Sequence, residues 1–84
     1  MDAMEQVILQ LLARRGEGKT ICPSEAARAS VASRGRSAWE VLMPYARHVA
    51  FELAAAGKIE ITQKGKVVEG PTARGPIRLR LKPG

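Results

Sequence analysis

The sequence predicts a mainly helical α+β fold, three helices followed by a small antiparallel β-hairpin. Three observations carry that prediction. Apolar residues recur at helical spacing in the first 56 positions: Met4, Val7, Ile8, Leu11 and Leu12, then Ala46, Val49, Ala50 and Leu53. Apolar and polar residues alternate at 59–62 and again at 77–82, the pattern of half-buried strands. Between them lies QKGKVVEGPTARGP, a basic stretch with three glycines and two prolines.

The elements follow in order. Residues 2–15 read as a helix, with Asp2 and Glu5 at capping-box spacing. Arg14 and Arg15 suit the negative end of the helix dipole, and Gly16 suits a left-handed stop. Lys19-Thr20-Ile21 is long enough for a very short strand. Pro23 fits the first position of a second helix over 23–30, preceded by Cys22 and with Ser24 and Glu25 in the first turn. Ala26, Ala27 and Ala29 are small enough for another helix to approach closely. Residues 31–36 form a polar turn, and Ser37 with Glu40 starts a helical turn that carries Trp39. Pro44 forces a kink or restart, because a mid-helix proline costs ~3 kcal/mol or more. The third helix then runs to Ala56 and ends at Gly57. Residues 63–76 read either as a long loop or as a turn at Lys64-Gly65 that brings Val67-Val68 back onto Ile61.

Eighty-four residues indicate one domain over 1–84, with a modest core. Hydrophobic residues make up 45% of the chain but only Trp39, Tyr45 and Phe51 are aromatic, so Leu, Ile, Val and Ala must build the core and Trp39 is expected to close it. The single cysteine excludes an intrachain disulfide and a cysteine-based zinc site. The first residues lack the pattern of a secretory signal, and no apolar run approaches the ~20 residues of a membrane span. A cytoplasmic location is expected.

The net charge of +6 is uneven. Residues 1–56 hold seven Lys/Arg and six Asp/Glu, whereas residues 57–84 hold seven against Glu60 and Glu69. A basic arm on a near-neutral body is an electrostatic footprint for a polyanion.

The order helix, short strand, helix, helix, strand, basic loop, strand is that of a winged helix-turn-helix, in which the third helix usually enters the DNA major groove. The chain resembles a small, mostly bacterial family of winged-helix proteins described only as a domain of unknown function. The matching residues are Cys22-Pro23-Ser24-Glu25-Ala26-Ala27-Arg28, Trp39, Met43-Pro44 with Arg47, Gly57, Ile59 through Gly65, and Gly75-Pro76-Ile77-Arg78. The resemblance implies the fold, and it implies that the basic loop is the wing that touches backbone or minor groove. The link over 31–43 is longer than the usual turn of ~3–4 residues between the helices of a helix-turn-helix.

Double-stranded DNA is the expected partner. Arg36, Arg47 and His48 are the candidate contacts from the helices, and Lys64, Lys66 and Arg74 are the candidate phosphate contacts from the wing. On the third helix, His48, Phe51 and Ala55 fall on the face away from the apolar stripe; Phe51 is expected to pack under the kinked Trp39 segment rather than to lie open on a partner surface. The alternative is a winged helix that binds a protein or a second copy through Phe51 and Tyr45. Two enzyme-like patterns are weak. ARRGEGKT, residues 13–20, matches a relaxed phosphate loop, but a helix precedes it where the motif needs a strand. Cys22 and His48 are the only candidates for a nucleophilic pair. With one His, one Cys and one Asp, the expectation is a non-enzyme without cofactor or metal.

Overall fold

A computed structural model describes residues 3–32 and 39–83, with the side chains of Ala32 and Thr72 excepted. The chain is α+β and mainly helical. Its described elements are α1 (Ala3–Arg15), α2 (Pro23–Ala32), a 3-10 turn (Trp39–Leu42), α3 (Met43–Ala55), β1 (Ile59–Gln63), β2 (Lys66–Val67), a second 3-10 turn (Gly70–Thr72) and β3 (Arg78–Leu81).

Local chemistry sets the helix ends. Gly16 adopts φ +105°, and its N–H donates to the Leu12 carbonyl as α1 stops. The ARRGEGKT stretch is therefore a helix end and a glycine turn. Cys22 sits just ahead of α2, and its N–H donates to Glu25 Oε2 at 2.8 Å, which is half of a capping box. The expected restart at Pro44 takes a specific form: the first 3-10 turn leads directly into α3, and Pro44 lies in the first helical turn, where its missing N–H is no loss. At the other end of α3, the Gly57 N–H donates to Ala54 and the Lys58 N–H to Leu53, with Gly57 at φ +76°. These two bonds make a Schellman stop, and only residues 56–58 separate helix from strand.

The sheet order is β2-β1-β3, antiparallel throughout. Glu60 faces Arg80 and Ile61 faces Leu79 across β1 and β3, while Thr62 faces Val67 and Gln63 faces Lys66 across β1 and β2. The short strand expected near Ile21 is a two-bond bridge to Leu79, on the side of β3 away from β1. Residues 63–76 thus hold a hairpin turn, a short strand and a 3-10 turn.

The core lies where α1, α2 and α3 meet one face of the sheet. Met4, Ile8 and Leu12 come from α1; Ala26 from α2; Ala46, Val49, Ala50 and Leu53 from α3; Ile59, Ile61, Ile77 and Leu79 from the sheet and its lead-in. The inward face of α3 is the one its spacing predicts. Thr62 is the buried polar residue among those described, at 2% exposure. No described helix is long and apolar enough to cross a membrane.

Trp39 sits differently from expectation. Trp39 is half-buried and lies outside the core cluster, stacked under the Arg28 guanidinium 4.3 Å from its ring centroid. Aliphatic residues already fill the centre, so the indole covers the flank of α2. Phe51 packs, as expected: it is half-buried against the core, and Gly70 lies against its ring. A Cβ placed on Gly70 would collide with the Phe51 ring and stand 2.6 Å from Ile61 Cδ1. The backbone at Gly70 thus lies directly against Phe51, and the segment after β2 covers it.

Candidate nucleic-acid interface

The site begins at the turn between β1 and β2. Lys64 adopts φ +52° and Gly65 φ +83°. Two successive left-handed residues closing the Gln63–Lys66 pair make the two-residue turn that matches strand twist, usually written with Asn-Gly or Gly-Gly. Lys64 is the described non-glycine residue with positive φ, in a region disfavoured by roughly 1–2 kcal/mol for such a side chain. The turn thrusts Lys64 into solvent, and Lys66 is exposed beside it on edge strand β2.

The segment leading into β3 is held by side chains. Gln63 Nε2 donates to the carbonyl oxygens of Arg74 at 2.6 Å and Pro76 at 3.2 Å. Arg47, from α3, donates through one terminal nitrogen to the intervening Gly75 carbonyl at 3.2 Å, and its guanidinium lies 5.6 Å from the Phe51 ring centroid. Arg47, Arg74, the base of the hairpin and its two lysines are therefore tied into one corner of the molecule. Arg74 itself is exposed. His48 stands apart on the solvent side of α3, 3.6 Å from Glu52 one turn on. A carboxylate beside it weakens the positive character of that helix face. Arg36 lies outside the described residues.

Two of the remaining cations of the basic arm, Arg78 and Arg80, have side-chain partners within the fold. Arg80 pairs with Glu60 at 2.9 Å. Arg78 donates to the Thr20 hydroxyl at 3.0 Å and to its carbonyl at 3.3 Å. Lys58 and Lys82 meet at the far end of the sheet, where the Lys82 N–H donates to the Lys58 carbonyl and the Lys82 ammonium approaches Gly57 at the C-terminus of α3. A cation suits that helix end. Lys64, Lys66 and Arg74 are exposed at the hairpin corner, and among the described residues no acidic side chain forms an ion pair with them, as is also true of Lys58 and Lys82 at the far end of the sheet.

Elsewhere, Arg15 pairs with Glu25 and donates to the Thr20 carbonyl at 3.1 Å. Burial pushes the Glu25 carboxyl up, but the Cys22 N–H, the Arg15 bond and the charges of Arg15 and Arg78 outweigh it, so the pKa falls below the ordinary 4.5. Cys22 Sγ lies 3.0 Å from the Ser24 hydroxyl, and His48 is engaged with Glu52; the structure does not bring this thiol and imidazole together. Val41, on the 3-10 turn that leads into α3, is 76% exposed, and Tyr45, in the first turn of α3, is 43% exposed.

Gln63 is the residue that sequence reasoning passed over. It closes an alternating strand and reads as an ordinary solvent-facing amide; only its place directly before Lys64-Gly65 marks it as the hinge of the turn.

With the fold and this corner in view, the class is an α+β domain with a basic hairpin beside its third helix. The chain belongs to the family described as "Protein of unknown function (DUF3253)", whose model matches residues 1–82. A comparison with curated proteins gives no match.

Proposed function

We propose that this chain is a winged-helix module that binds double-stranded DNA through its phosphate backbone. The topology supports the winged-helix part. The Ile21 bridge joins the α1–α2 connection to β3, β1 follows α3 immediately, and the β1–β2 hairpin with the loop after it stands where a wing would. The observation that carries the binding part is the gathering of charge at one corner: Lys64 and Lys66 on the hairpin and Arg74 on the loop tied to its base are exposed without an ion pair among the described residues, while Arg78 and Arg80 are bound within the fold.

Backbone recognition is favoured over base reading. A reading helix presents several donors to the groove. Here α3 offers His48 beside Glu52, and Arg47 spends one donor on Gly75. A guanidinium has five N–H donors, so Arg47 keeps the capacity to bond a phosphate. A second reading, docking of a protein on the exposed 3-10 turn and first turn of α3, draws on Val41 and Tyr45. Phe51 drops out of that surface because its ring packs against Gly70.

Fluorescence anisotropy with short labelled duplexes tests the proposal. The intact chain is expected to bind several unrelated duplexes with similar affinity, and the Lys64, Lys66 and Arg74 triple alanine variant to weaken all of them alike. Absence of detectable binding by the intact chain at about 50 mM salt, where phosphate contacts are strong, would sink the DNA reading and leave the protein-partner reading in front.

A further inference from the structure

We propose that Gln63 is a positioning residue for the basic corner: by holding the Arg74 and Pro76 carbonyls, its side-chain amide fixes Arg74 beside the hairpin, so that Lys64, Lys66 and Arg74 meet a phosphate backbone as one preorganised set. The inference rests on the DNA-binding reading above and adds a residue that carries no charge.

Arg74, Gly75 and Pro76 lie between the second 3-10 turn and β3, outside the ladder. All three of their carbonyls accept a hydrogen bond from a side chain: Arg74 and Pro76 from Gln63, and Gly75 from Arg47. A primary amide has two N–H donors, and two carbonyls take them. That pairing also fixes which end of the amide faces the loop, since the oxygen could not bond either carbonyl. Gly75 adopts φ +82°, so the loop turns sharply between the two carbonyls that Gln63 binds. Gln63 is itself held in the ladder opposite Lys66 and directly precedes Lys64. One residue therefore joins both lysines to Arg74 by covalent and hydrogen-bonded links no longer than a few bonds.

An interaction of this kind acts on affinity through order. A loop fixed before binding spares the complex the cost of fixing it, roughly 0.5–1.5 kcal/mol per immobilised side chain, which corresponds to about two- to tenfold in affinity. A charge acts through counterions instead, and its removal changes the salt slope. The two roles are therefore separable.

The experiment compares the intact chain with Gln63→Met, which keeps the length of the side chain and removes both donors. Backbone order parameters at Arg74 and Gly75 are expected to drop from about 0.85 to below about 0.6, with the helices unchanged. Duplex affinity should weaken by about two- to tenfold at every salt concentration, with the slope of log affinity against log salt unchanged. Gln63→Asn, which keeps the amide but shortens its reach, serves as a second variant and is expected to do the same if the methionine loosens the hairpin as a whole. Unchanged order parameters, or unchanged affinity in a variant whose loop has become mobile, would overturn the role of Gln63 while duplex binding by the intact chain stands. Failure of the intact chain to bind any duplex would overturn the DNA reading, and this inference with it.

Discussion

At the scale of single residues, Lys64 breaks a local rule. The turn favours Asn or Gly at its first position, yet a lysine occupies it at φ +52°. A residue kept in a disfavoured conformation points to a use for its side chain, here a cation at the hairpin tip. Lys64→Asn should therefore separate stability from binding. It is expected to stabilise the fold by up to about 1 kcal/mol in thermal or denaturant unfolding, because Asn tolerates the left-handed region. The same change should weaken duplex binding. If the melting temperature falls instead, the turn does not carry the strain assigned to it. Gln63 is the counterpart on the neutral side, a residue whose value lies in two hydrogen bonds rather than in charge.

At the scale of elements, the contact between α3 and the second 3-10 turn closes the sheet side of the core. Gly70 is there because nothing larger fits between Phe51 and Ile61. Gly70→Ala should cost about 1–3 kcal/mol, the usual penalty of overpacking, in urea unfolding. A neutral effect would mean that the ring has room to move aside. This contact also shows where sequence reasoning ends. The ends of α1 and α3, the restart at Pro44 and the inward face of α3 follow from caps, glycine stops and spacing within one element, so they were legible. What covers Phe51 was not. The helical position of Phe51 faces away from the main stripe, and its cover is a loop about twenty residues later with no periodicity to reveal it. Trp39 misled for a related reason: the scarcity of aromatic residues argued for a core tryptophan, but the centre is already filled by Ile8, Leu12, Ile21 and Leu79. At the candidate site, exposure of Lys64, Lys66 and Arg74 could be foreseen from a glycine- and proline-rich segment. The ties from Arg47 and Gln63 could not, because both bond backbone carbonyls, which leave no trace in the identity of the residues they belong to.

At the scale of the whole molecule, the account turns on how +6 of net charge is distributed. The fold engages Arg15 with Glu25, Arg80 with Glu60 and Arg78 with Thr20, and sets Lys58 and Lys82 at the α3 C-terminus. At the hairpin corner Lys64, Lys66 and Arg74 stay exposed, and in the proposed reading they meet the duplex. The most direct measurement is the salt dependence of duplex binding, by fluorescence anisotropy, for the intact chain and for the triple alanine variant at those three positions. Each phosphate contact on duplex DNA contributes about 0.9 to the slope of log affinity against log salt, so loss of all three contacts should flatten it by ~2.7. Should the triple variant bind with the slope of the intact chain, the duplex would be held elsewhere and the hairpin corner would not be the interface.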